Sequence, residues 1–135
     1  MACTETFATL RIFSEDIHPE EITEILGAAP TGTDPRNLES RYKSQRLSNY
    51  WQHSTEKLSD SLDNVEHLDL IVNALKGKDT QLKLLRQRGC KTDVFCYWVS
   101  NGQGGPRISV DLMKELVNFG LGIYWDMYFD DEEDA

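Results

Sequence analysis

Leu121-Gly-Ile-Tyr-Trp-Asp-Met-Tyr-Phe129 alternates residue by residue. Leu121, Ile123, Trp125, Met127 and Phe129 share one face; Gly122, Tyr124, Asp126, Tyr128 and Asp130 share the other. A two-residue period is that of a strand with one buried face. It predicts a core role for Trp125 and a surface role for Tyr124, Asp126 and Tyr128. Just upstream, Gly120 ends a helix capped by Ser109, whose expected buried stripe is Leu112, Met113, Leu116 and Val117. Before it, residues 91–99 carry apolar side chains on both faces, as a central strand does. Strand, helix and strand make a β-α-β unit, so the two strands are expected to be parallel with a right-handed crossover.

Residues 6–33 echo that order. A strand over 6–14 places Ala8, Leu10 and Ile12 on one face and Phe7, Thr9, Arg11 and Phe13 on the other. Pro19 suits a first helical position, Glu20 and Glu21 favour the helix dipole, and Ile17 can staple onto Ile22. Gly27 and Pro30 stop that helix, and a short strand is expected near 31–33. The stretch 32–47 is a long polar connection. Residues 48–57 read as a strand with Tyr50 and Trp51 on opposite faces. A helix over about 61–76 carries Leu62, Val65, Leu68, Val72 and Leu75; Gly77 ends it, and Asp79 is placed to cap a further helix with Leu82 and Leu85. The fold class is α+β. A ferredoxin-like sandwich fits, with about five strands in a mixed sheet and three to four helices on one face.

The length of 135 residues suits a single domain, expected over 1–130 with an acidic C-terminal tail at 131–135. Five of the net nine negative charges come from Asp130, Asp131, Glu132, Glu133 and Asp134. That balance disfavours nucleic acid, and the basic groups around Arg36–Arg46 and Lys76–Lys91 read as solvated faces. No apolar run of 18 residues and no secretory signal is present, so a cytoplasmic protein without a membrane span is expected. Cys3, Cys90 and Cys96 show no paired framework and read as reduced thiols.

Catalytic signatures are sparse. His18, His53 and His67 make no HxH or HxxxH pattern and the cysteines no CxxC, so neither a metal nor another cofactor is expected. There is no GxSxG, and the loop Asn101-Gly-Gln-Gly-Gly105 lacks the rest of a phosphate-binding motif. Asp126 and Asp130 lie too far apart along a strand to act on one bond; a cross-strand pair of Arg11 with Asp126 is expected if the first and last strands are neighbours.

Pro19-Glu-Glu-Ile-Thr-Glu-Ile-Leu-Gly-Ala-Ala-Pro-Thr31 resembles the E-I-T-x-x-L-G-x-x-P-T pattern of the bacterial domain-of-unknown-function family DUF4279. Trp51, Val94-Phe-Cys-Tyr97, Ile108-Ser-Val-Asp-Leu112 and Gly120–Phe129 follow in the order of that family, so the resemblance spans about 6–130. The family supplies no catalytic residues. By association with toxin genes the resemblance implies an immunity-type role and a basic toxin as partner.

The residues and the resemblance together lead to a non-enzymatic binding domain. Its protein-binding surface would be an open sheet face around Arg11, Tyr97, Tyr124, Asp126 and Tyr128, since Tyr and Arg carry much interface energy. A second reading is a small-molecule or enzymatic pocket between the sheet and 32–47, using Arg41, Trp51 and His53. A third is a homodimer packed sheet to sheet; otherwise the protein is a monomer.

Overall fold

The computed structural model describes residues 3–130; the expected acidic tail lies outside them. Ten elements follow one another: β1 (Cys3–Ser14), α1 (Pro19–Leu26), β2 (Gly32–Asp34), α2 (Lys43–Leu47), β3 (Asn49–Ser54), α3 (Asn64–Ala74), α4 (Asp79–Gln87), β4 (Lys91–Ser100), α5 (Val110–Phe119) and β5 (Gly122–Phe129). The five strands form one sheet in the order β2-β3-β1-β4-β5. The first four pair antiparallel, and β5 lies parallel to β4. Parallel neighbours need a long crossover, and α5 supplies it. The fold is α+β with a mixed sheet, and the strand order is compatible with a ferredoxin-like arrangement.

One face of the sheet meets α1, α3, α4 and α5. Ala8, Leu10 and Ile12 of β1, Trp51 of β3, and Val94 and Cys96 of β4 point into a single core. The helices fill it with Ile22 and Leu26 (α1), Leu68, Ile71 and Val72 (α3), Leu82 and Leu85 (α4), and Leu112, Leu116 and Phe119 (α5). Full burial of each large aliphatic side chain stabilises the fold by about 1.5–3 kcal/mol. The short α2 buries none of its residues and belongs to the connection between β2 and β3. Among the described residues no helix is long and apolar enough to cross a membrane.

Helix ends follow local chemistry. Ser109 accepts a hydrogen bond from Leu112 N, and Asp63 accepts one from Val65 N, which starts α3 at Asn64 rather than at residue 61. Leu62 therefore precedes the helix and is exposed. His18 caps α1 through its ring, accepting from Glu20 N at 3.2 Å. Asp79 is the first residue of α4, not its cap; Lys78 before it offers no side-chain cap there. Lys78 instead donates from Nζ to Gly27 O at 3.1 Å, at the C-terminal end of α1. At the other end of α4, Arg86 donates to Phe119 O at 2.6 Å and caps α5. Gly27 and Gly120 both adopt φ 71°, a left-handed stop that glycine takes without strain. Helix α4 thus closes the carbonyl ends of both of its neighbours.

Two apolar stripes differ from expectation. In α5 the buried residues are Leu112, Leu116 and Phe119, while Met113 and Val117 face solvent. In β5 the core takes Ile123 and Trp125 only in part, and Met127 and Phe129 are exposed. Both elements sit at the border of the fold: β5 is an edge strand, so the core covers its beginning and not its end.

Candidate functional site

The sheet face away from the core carries a continuous set of rings. Alternation aims Phe7, Thr9, Arg11 and Phe13 of β1 to this side, and the register sets Phe7 beside Tyr97, Thr9 beside Phe95 and Arg11 beside Asp93. The parallel pairing with β5 sets Phe95 beside Tyr124 and Tyr97 beside Asp126. Phe7 and Tyr97 stack with centroids 4.9 Å apart, Phe95 and Tyr124 at 5.8 Å, and Tyr97 meets Tyr128 at 5.6 Å. Phe13 contacts Tyr50 of β3 at 5.1 Å. Such spacings are those of favourable aromatic pairs.

Arg11 is the hub of one half of this face. Its guanidinium lies 4.9 Å from the Phe95 ring centre, 5.3 Å from Phe13 and 5.4 Å from Tyr124. The hydrogen-bonded Asp93 carboxylate holds the guanidinium even more firmly protonated than usual, against the opposing effect of burial. Arg11 does not pair with Asp126, because β4 separates β1 from β5. Burial raises the Tyr50 phenol above its ordinary value, and the charge of Arg11 partly offsets that.

The other half is acidic. Burial and then the charges of Glu5, Asp126, Asp130 and Glu56 hold the Tyr97 phenol above its ordinary value. The Tyr128 phenol is raised as well, first by its hydrogen bond to Asp126 and then by the charge of that carboxylate. Tyr124 and Tyr128 are 55% and 49% exposed, large for aromatic side chains within a sheet.

All five residues expected on the open face, Arg11, Tyr97, Tyr124, Asp126 and Tyr128, lie on it. Sequence reading left Phe7, Phe13, Tyr50 and Asp93 out of the set, although the alternation of 6–14 already aligned Phe7 and Phe13 with Arg11. The alternative trio is not assembled. Trp51 is fully buried in the core, where Nε1 donates to Thr23 Oγ1 at 2.9 Å. His53 shares its alternation and points to the helix side, while Arg41 is exposed and reaches the hydroxyl of Tyr42. A hollow does exist between the sheet and the 32–47 connection, of about 440 Å³, but it is lined by Arg11, Phe13, Asp34, Gln45, Leu47 and Tyr50.

Among the described residues no group of three or more His, Cys, Asp or Glu could hold a metal. The three thiols are buried, and burial raises each of them, Cys96 to about 12. A thiolate nucleophile needs the opposite shift.

Sheet, helix layer and ring-covered face together define a small α+β domain with one side of its sheet open. The chain belongs to the family described as a domain of unknown function, DUF4279, whose model matches residues 4–130. Comparison with curated proteins and with solved structures gave no match.

Proposed function

We propose that this protein is a cytoplasmic binding domain that works without catalysis and covers a protein partner with its open sheet face, in an immunity-like role. One observation carries the reading: the face opposite the helices bears a run of rings, with Tyr124 and Tyr128 half exposed at its rim. Exposed aromatic clusters of this kind favour coverage by a partner. The acidic excess of the chain favours a partner with basic groups and speeds the encounter.

The test is capture by the immobilised chain from a native extract, beside the variant Tyr124→Ala/Tyr128→Ala. The expected result is a basic protein retained by the first and lost by the second, with matching thermal unfolding of the two. Equal retention by both removes the face from the assignment. Two copies packed sheet to sheet would bury the same rings but oppose like charges; mass in solution at high concentration detects that dimer.

The hollow beside α2 supports a second reading, a small-ligand site. Arg11, Asp34, Gln45 and Tyr50 converge on it with Phe13 and Leu47 as apolar walls.

A further inference from the structure

We infer that the Phe7–Tyr97–Tyr128 end of the open face is a cradle for a single cationic side chain of the partner, a guanidinium or an alkylammonium. The inference rests on the binding role proposed above and names the chemistry of its central contact.

The face contains its own template. In one half, aromatic rings and a carboxylate surround the guanidinium of Arg11. In the other half the same ingredients recur: Phe7 stacked on Tyr97, Tyr128 against Tyr97, and Asp126 next to Tyr97 in the register. Glu56 lines the groove that runs over Phe7, and Glu5 precedes Phe7 by two residues on the same side of β1. Among the described residues no side-chain cation forms an ion pair at this position. Among the described residues, ion pairs join Arg11 to Asp93, Arg88 to Glu21 and Arg107 to Asp63; none engages Glu5, Glu56, Asp126 or Asp130. Lys57, the nearest basic residue in sequence, makes no ion pair among them either.

Ring faces attract cations through their quadrupole, most strongly when water is partly excluded. The Phe7–Tyr97 stack supplies an apolar floor, and the carboxylates set the sign of the occupant. An anionic partner group would meet Glu5, Glu56 and Asp126 unopposed.

A hexa-arginine peptide, capped at both ends, is the probe, titrated into the full chain and followed by the aromatic NMR signals. The expected result is that the Phe7, Tyr97 and Tyr128 signals move together. Tyr97→Leu and Asp126→Asn should each weaken binding about three- to tenfold, a range set by exposed cation–π and ion-pair energies. Glu66→Gln removes an acid from the helix side and should leave affinity unchanged. Glu56→Gln, at an exposed site, repeats the test should Asp126→Asn disturb the fold. Signals that stay in place, or variants that bind as tightly as the parent, overturn the inference. Loss of partner capture in Tyr124→Ala/Tyr128→Ala with no shift at Tyr97 keeps the binding role and removes the cradle. Peptide docking at Tyr97 with capture insensitive to that double variant keeps the cradle and removes the proposed role.

Discussion

Arg11 on β1 and Asp93 on β4 stand opposite each other and join through two hydrogen bonds, Nε to Oδ1 at 2.8 Å and Nη2 to Oδ2 at 2.7 Å. Both side chains are less than a third exposed. Asp93→Ala leaves the guanidinium among rings without its acceptor and should cost about 1–3 kcal/mol in urea unfolding. Arg11→Met keeps the packing and should rescue part of that loss when combined with Asp93→Ala. Additive losses would mean that the two residues act independently.

A buried polar relay offers a second test. Thr55 Oγ1 accepts from Ala8 N at 3.0 Å and lies 2.6 Å from His67 Nδ1. His67 Nε2 is 2.8 Å from Ser61 O, which can only accept, so Nε2 carries the hydrogen and Nδ1 accepts from the Thr55 hydroxyl. Thr55→Val orphans two buried groups and should cost about 2–4 kcal/mol. Thr55→Ser should retain most of the stability; equal losses for both would point to packing of the methyl group instead.

Gly120 and Gly77 separate backbone strain from a specific contact. Both have positive φ, but a Cβ on Gly120 would lie 2.5 Å from Cζ of Arg86, whereas one on Gly77 meets nothing within 4 Å. Gly77→Ala should lose about 1–2 kcal/mol from the left-handed backbone alone. Gly120→Ala should lose more, because Arg86 must leave Phe119 O. In an Arg86→Ala background that excess should vanish, as calorimetry of the four variants can show.

Cys96 predicts an alkaline weakness. Burial pushes its thiol from 9.0 up to about 12, so the folded state keeps the proton after the unfolded state has lost it. Stability from this group is complete below about pH 9 and falls as pH rises toward 12. The slope is on the order of 1 kcal/mol per pH unit at most. Cys96→Ala removes a buried atom and should be less stable at pH 7, yet it should lose less between pH 9 and 11. Parallel stability curves for the two proteins would assign the alkaline loss to other groups.

The order of elements and the open face were legible because both rest on short-range periodicity. Tyr124, Asp126 and Tyr128 followed from alternation, and Gly27 and Gly120 marked their helix ends. What alternation cannot supply is strand order. An Arg11–Asp126 pair depends on β1 and β5 being neighbours; β4 lies between them, and Arg11 pairs with Asp93 instead. Depth at an edge was also hidden: Met127, Phe129 and Val117 have core-like side chains, but the core ends before reaching them. His53 and Trp51 looked usable in a pocket, and only the pairing of β3 with β1 shows that both turn to the helices.

The position of β1 also shapes the biogenesis of this chain. β1 leaves the ribosome before both of its neighbours, yet it lies in the middle of the sheet, with β3 on one side and β4 on the other. At roughly 5–20 residues per second, several seconds separate the synthesis of β1 from that of β4. Throughout that interval Ala8, Leu10 and Ile12 lack the strand that completes their surroundings. Nascent chains arrested before β4 should therefore bind chaperones and yield to proteases, and chains in which β5 has emerged should resist both.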